Sequence, residues 1–164
     1  MKSPLGYGYA IYSMRGLCKL MLPANSENLA KAEGRNLASQ LVSPSHQASQ
    51  EIQRFINAYF SGEEPNWQRV IIDLKGTAPF QRKVYTALRN IDFGETVTYG
   101  ALGQQLGYRY GGRAIGSAMR TNPLPLIIPC HRVVAANQKL EGFSAPGGIA
   151  TKKWLLEHEA AYAC

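Results

Sequence analysis

The segment Pro129-Cys130-His131-Arg132-Val133 places a thiol beside an imidazole, directly behind an apolar run framed by Pro123 and Pro129. A thiolate is the nucleophilic form of cysteine, and a neighbouring cation or imidazolium raises its fraction. With Arg132 and His131 next to it, Cys130 reads as a nucleophile, although an isolated Cys-His pair would be read as a buried, inert cysteine. Successive residues on regular structure point apart, so His131 is expected to act on the thiol through a turn or a bridging water. A third group must then orient the imidazole. The other thiols, Cys18 and Cys164, are widely spaced and form no Cys-x-x-Cys pair, a pattern that suits a reducing compartment. His46, His131 and His158 stand at no metal-ligand spacing with a cysteine, so no metal is expected.

Several elements must position this centre. Between Leu5 and Leu22 the pattern predicts two short strands joined by a turn at Gly16. Asn25-Ser26 is placed to cap a helix through Leu29, Leu37 and Leu41 that stops at Ser43-Pro44. Ile52, Phe55, Ile56, Tyr59 and Phe60 repeat at helical spacing up to Gly62, and Val70 to Leu74 reads as a strand. These make an N-terminal α/β domain, residues 1–75, in which no chemistry is evident. From Gly76 the texture turns helical. Phe80, Val84, Tyr85 and Leu88 form one apolar face, and Asp92-Phe93-Gly94 breaks the helix. Thr98 is placed to cap a helix through Tyr99, Leu102 and Leu106 that ends at Gly107, and another spans about Gly112 to Arg120 before Asn122-Pro123. Two short helices around a glycine-containing turn have the outline of a helix-turn-helix, which packed helical hairpins share. The second helix carries small residues at Ala114, Ser117 and Ala118 between Arg113 and Arg120, a face that permits close approach to a phosphate backbone.

Charge points the same way. The 164 residues carry 18 Lys and Arg against 11 Asp and Glu, a formal net charge of +7. Residues 1–78 hold 8 basic and 6 acidic side chains, residues 79–164 hold 10 and 5, so the C-terminal half is the better anion-binding surface. Nucleic acid is the leading partner. No apolar run approaches the roughly 20 residues that cross a bilayer, so no membrane partner is expected. The first residues lack the continuous apolar core of a signal peptide, and a cytoplasmic location is expected.

Taken together, Pro129-Cys130-His131-Arg132-Val133, Gly142-Phe143 and Gly147-Gly148 resemble the active-site signature of the O6-alkylguanine-DNA alkyltransferases, also called methylated-DNA–protein-cysteine methyltransferases. The resemblance runs through Gly76-Thr77, Phe80-Gln81, Gly94-Glu95-Thr96, Tyr99-Gly100, Arg113-Ala114-Ile115-Gly116 and Asn122-Pro123 to Trp154-Leu155-Leu156-Glu157-His158-Glu159. It implies an α+β fold: a small N-terminal β-sheet with helices, ribonuclease H-like in outline, then a helical DNA-binding and alkyl-transfer domain, residues 76–164, with a helix-turn-helix variant. It also implies repair of O6-alkylguanine in double-stranded DNA, with O4-alkylthymine a further candidate, by irreversible transfer to Cys130 in a single turnover. No cofactor is implied, and a monomer is expected.

By the same resemblance the lesion is flipped out from the minor groove. His131 is the water-mediated base, Glu159 its orienting carboxylate, and Tyr99 donates a proton toward the guanine. Arg113 fills the gap left by the flipped base, Arg120 contacts phosphate, and Asn122 ties the recognition helix to the active-site segment. Ala114, Ser117 and Ala118 face the DNA, while Val133, Phe143 and Ser144 belong to the substrate site. The loop Gly142 to Gly148 is two residues longer than the family's usual form. Three rivals define the alternatives: a lesion-recognition relative without transfer activity, which would replace Cys130; a major-groove regulator, which would need base-reading side chains; and a Cys-His hydrolase, which would need an oxyanion hole.

Overall fold

The computed structural model describes residues 2–24, 45–109 and 111–163. It divides into two compact units, residues 1–75 and 76–164. In the first, strands β1 (Lys2–Ser3), β2 (Gly6–Ser13) and β3 (Gly16–Ala24) form an antiparallel sheet in the order β1-β2-β3. The turn between β2 and β3 needs a glycine. Gly16 has φ +146°, and a Cβ there would lie 2.5 Å from the Ile71 carbonyl oxygen. Helix α1 (His46–Phe60) starts at Ser45, whose side chain accepts from the Ala48 N–H at 3.1 Å. It buries Ile52, Ile56 and Tyr59, as its helical spacing predicts. The helix expected over Asn25 to Leu41 lies outside the described residues.

The strand expected over Val70 to Leu74 is reduced to a single parallel bridge between Ile72 and Leu17, preceded by a 3-10 turn at Trp67–Arg69. Leu17 N–H donates to Ile71 O at 2.9 Å and Asp73 N–H to Leu17 O at 2.8 Å. The ladder ends there because Asp73 bends the chain. Its carboxylate accepts from the Lys75 N–H and from the side chains of Ser13 and Arg15, a local turn that competes with further pairing.

In the second unit α2 (Pro79–Leu88) begins with proline at its first turn, where the missing N–H costs nothing, and buries Val84, Tyr85 and Leu88. Two short helices follow, α3 (Tyr99–Gln105) and α4 (Gly112–Arg120). Thr98 caps α3 by accepting from the Ala101 N–H at 3.1 Å, and Gly107, at φ +83°, lets the chain turn away. Helix α4 buries Ile115, Ala118 and Met119 and leaves Arg113, Ala114, Ser117 and Arg120 exposed. Tyr85 on α2 fixes this helix by donating its hydroxyl to the Ala118 carbonyl at 2.9 Å.

A two-stranded parallel sheet that the sequence does not reveal joins β4 (Val97–Thr98) to β5 (Val133–Val134). It brings the start of α3 beside the residues that follow Cys130. Helix α5 (Gly148–Tyr162) then returns across the unit with Thr151, Lys152, Leu155 and Glu159 buried. Trp154 and His158 stand half-exposed and stack on each other at 4.9 Å, one helical turn apart. The described chain is thus of the α+β class.

Candidate active site

Cys130 begins a 3-10 turn, Cys130–Arg132, at the end of a buried apolar segment containing Leu124, Leu126, Ile127 and Ile128. That segment is held in an uncommon conformation, for Leu126 has φ +72°. A leucine in the left-handed region costs on the order of 1–2 kcal/mol, so its surroundings must enforce it. Asn122 supplies the constraint. Its Oδ1 accepts from the Leu124 N–H at 3.0 Å, and its Nδ2 donates to Ile128 O at 2.8 Å and to Cys130 Sγ at 3.1 Å. One amide therefore links the end of α4, the apolar turn and the thiol.

The turn sends His131 inward, away from the side on which Cys130 borders the cavity. Its Nε2 lies 2.7 Å from Glu159 Oε1, and its buried Nδ1 has no hydrogen-bond partner among the described residues. Glu159, 0% exposed, also accepts from Arg132 Nε at 2.9 Å, Arg132 Nη2 at 3.0 Å and the Gly94 N–H at 3.1 Å. Burial alone would raise the carboxyl's pKa, but the bonds from His131 and the bidentate Arg132 outweigh it and hold the group well below the usual carboxylate range. Burial pushes the His131 pKa down, against Glu159. The consistent state is an ionised Glu159 balanced by Arg132, with a neutral imidazole that donates from Nε2 and keeps the Nδ1 lone pair as an acceptor. The hydrogen-bond pattern assigns this tautomer.

Arg132 therefore does not serve the thiol as the sequence led one to expect. Its guanidinium is spent on Glu159 and on the Ile91 carbonyl, 2.6 Å away, because a buried fork needs acceptors for all its protons. The cation that acts on Cys130 is Lys152, from α5. Burial pushes the thiol above its ordinary pKa, while the bond from Asn122 and the charge of Lys152 pull it down. A resting thiol with a nearby base is the result, rather than a free thiolate.

Cys130, 7% exposed, opens onto a cavity of about 770 Å³. Tyr99 and the loop Glu141 to Ser144 form part of its wall, and α4 contributes Gly112, Arg113, Gly116, Ser117, Met119 and Arg120. Of the residues singled out from sequence, Cys130, Tyr99, Arg113, Arg120, Ser117, Phe143 and Ser144 line this cavity. Ala114 is exposed on α4 but not in the lining. Ala118 does not face outward as expected: it is 3% exposed, turned toward α2, because its position on α4 falls on the same face as Ile115 and Met119. Val133 is likewise buried in β5 and outside the lining, and it takes part through its carbonyl, which accepts from Lys152 Nζ at 2.6 Å. Sequence reasoning missed Lys152, Met119 and Glu141. Lys152 had one available signal: it lies seven residues before Glu159, on the same helical face.

This arrangement is a recessed thiol beside a buried His131–Glu159 pair, with a helix that presents two exposed arginines on the same cavity. Comparison with known proteins places it. Residues 79–161 match the family described as 6-O-methylguanine DNA methyltransferase, DNA binding domain. The chain is 39% identical over 110 residues to a DNA base-flipping protein of Thermus thermophilus, covering 67% of this chain and 72% of that one. It is 45% identical over 108 residues to a methylated-DNA–protein-cysteine methyltransferase of Mycobacterium bovis, covering 66% of this chain and 63% of the relative, so it matches less than two thirds of that protein's length. Its structure is similar to that of Mycobacterium tuberculosis OGT in complex with DNA, with a TM-score of 0.79 and 36% identity, covering 99% of this chain and 92% of that one. The recessed cysteine, the His131–Glu159 pair and the arginine-bearing helix all lie within the matched residues, and the chain belongs to the 6-O-methylguanine DNA methyltransferase family.

Proposed function

We propose that Cys130 is the acceptor through which this DNA-repair alkyltransferase removes the alkyl group from O6-alkylguanine in double-stranded DNA, each molecule acting once. The observation that carries the reading is the shared cavity. Cys130, the one thiol among the described residues on its wall, faces a space bounded by the exposed arginines of α4. A base still stacked in a duplex cannot reach a recessed sulfur, so the lesion must be flipped out of the helix. Small residues along α4, Gly116 and Ser117 in the lining and Ala114 beside it, leave little for base-edge readout and much room for close approach in the minor groove.

In the reaction a sulfur–carbon bond forms as the carbon–O6 bond breaks. The thiol proton passes through water to Nδ1 of His131, whose Nε2–H remains on Glu159. Tyr99 supplies a proton to the leaving guanine, which relieves its negative charge, and is reprotonated as His131 gives up its own. The thiol's proton has then, in net, moved to the base, and no cofactor is required. Phe143 walls the flipped base, Ser144 holds O6, and Asn122 keeps the thiol in register with α4. All these groups come from one chain, which supports action as a monomer. A reactive free thiol requires a reducing compartment, which supports the cytoplasm.

The arginines test the DNA side of this reading. Arg120→Ala is expected to weaken binding to any duplex and to lower the salt slope of the binding constant by about one. Arg113→Ala is expected to slow repair in a duplex by tenfold or more while leaving reaction with free O6-alkylguanine base within about twofold, because only the duplex has to be opened. Single-turnover kinetics on both substrates check this. Equal slowing on duplex and free base would assign Arg113 to the fold or the chemistry instead.

A further inference from the structure

Lys152 is 0% exposed, on the inner face of α5. Its ammonium donates to Val133 O at 2.6 Å and to Glu141 O at 2.9 Å, and it stands 5.9 Å from the centre of the Tyr99 ring. Among the described residues no carboxylate pairs with it. An ammonium taken from water and given only neutral acceptors is costly, and an apolar residue of similar length would serve stability better. Its retention calls for another role.

The Glu141 carbonyl identifies that role. Glu141 opens the cavity's rim loop, and its oxygen accepts from both Lys152 and the Tyr99 hydroxyl, the latter at 3.2 Å. A carbonyl has two lone pairs, and both are in use here. When Tyr99 turns its hydroxyl to a bound base, the bond from the buried Lys152 still holds the Glu141 carbonyl, and with it the rim loop, in place. The other bond of Lys152 runs to Val133, three residues beyond Cys130, so the same ammonium sets the distance between the rim and the strand that carries the nucleophile. Burial lowers the lysine's pKa, and the charges that act against it are the Cys130 sulfur, once ionised, and the Glu141 carboxylate. The two groups are therefore mutually supportive when the thiol ionises.

We propose that Lys152 is a positioning residue for alkyl transfer: it ties the cavity's rim at Glu141 to the strand after Cys130 and keeps the Glu141 carbonyl satisfied while Tyr99 donates to the lesion. This rests on the reading of Cys130 and Tyr99 given above. The test is single-turnover transfer from an O6-methylguanine duplex by Lys152→Met, Tyr99→Phe and the double variant, with duplex affinity and thermal stability measured alongside. Lys152→Met is expected to slow transfer roughly 10- to 100-fold with affinity unchanged within about twofold, and the double variant to be little slower than the slower single one, since the two act on one step. Lys152→Arg, which keeps the charge and two donors, is expected to recover part of the rate. Transfer by folded Lys152→Met within about twofold of the wild type, beside a slow Tyr99→Phe, would remove Lys152 alone. A wild-type rate in Tyr99→Phe would instead remove the reading beneath it, and effects that multiply fully in the double variant would overturn the shared step.

Should Lys152→Met fail to fold, a second readout decides. In Cys130→Ala protein labelled with nitrogen-15 at lysine, a solvent-protected ammonium signal that Lys152→Arg removes is expected to shift with a duplex containing O6-methylguanine and not with an undamaged one. Absence of a protected signal, or the same response to both duplexes, would overturn the proposal.

Discussion

A Cys130→Ala protein is expected to accept no methyl group at all, while binding duplex DNA within about threefold of the wild type. The two halves of this expectation have separate causes. Transfer requires a nucleophile at the cavity wall, and among the described residues the other cysteine, Cys18, lies in β3 of the other unit, bonded to the Ile11 carbonyl. In the proposed reading, binding is carried by phosphate contacts to the cationic exposed face of α4, which need no help from the sulfur. The side chain lost is small. Its removal withdraws the acceptor of one Asn122 bond, but Asn122 Nδ2 keeps the Ile128 carbonyl, so the active-site turn is expected to persist. Titration with a duplex carrying a labelled O6-methyl group, read as label on protein, checks the first half, and a binding isotherm the second.

The second large effect is at Glu159. Glu159→Gln is expected to slow methyl transfer by about a hundredfold or more, since a correctly poised general base contributes typically 10²- to 10⁴-fold. The amide has one oxygen for donors that now use two, and its NH₂ group meets either the Arg132 fork or the Nε2–H of His131. Either outcome disturbs the imidazole tautomer. Leaving Arg132 buried without its anion is also destabilising, by about 3–5 kcal/mol for a broken buried pair, so the variant is expected to melt well below the wild type and must be assayed while folded. Duplex affinity is expected to hold, because Glu159 is buried away from the exposed face of α4.

The same group sets an acid limit. The Glu159 pKa is depressed in the folded state, so its stabilisation is present above the unfolded carboxylate range near 4.3 and is lost as pH falls toward the folded value. His131 acts in the same direction: its pKa is lowered by burial, so from about pH 6.5 downward the unfolded chain takes up a proton that the folded chain refuses. Wild-type stability is therefore expected to fall in two stages on acidification, below about 6.5 and again below about 4.3, and Glu159→Gln to lose the lower stage.

How far the sequence discloses this depends on which force shaped each part. Helices α1, α2, α3 and α4 are legible because a single apolar face, bounded by Ser45, Pro79, Thr98 and Gly107, determines them. The sheet of β4 and β5 is not: each strand is two residues long, too short for an alternation, and its pairing is decided by the packing of distant segments. Helix α5 is legible by its length, but its buried face includes Lys152 and Glu159, charged residues that a reading by hydrophobicity assigns to solvent. Lys152 is hidden for that reason, and sequence adjacency points to Arg132 as the thiol's cation although the 3-10 turn directs its guanidinium to Glu159. Only the resemblance to a family groups Cys130, His131, Glu159 and Asn122, since nothing in their spacing brings residue 159 to residue 131; in the structure His131 meets Glu159 and Asn122 meets Cys130.

In the proposed reaction one thiol, Cys130, takes the alkyl group from damaged guanine. The most direct measurement is the intact mass of the protein after mixing with a duplex containing O6-methylguanine, followed by peptide mapping. A gain of about 14 Da, one methyl group per molecule, confined to the peptide holding Pro129-Cys130-His131-Arg132, is the predicted result. An unchanged mass, or methyl found on Cys18 or Cys164, would contradict it.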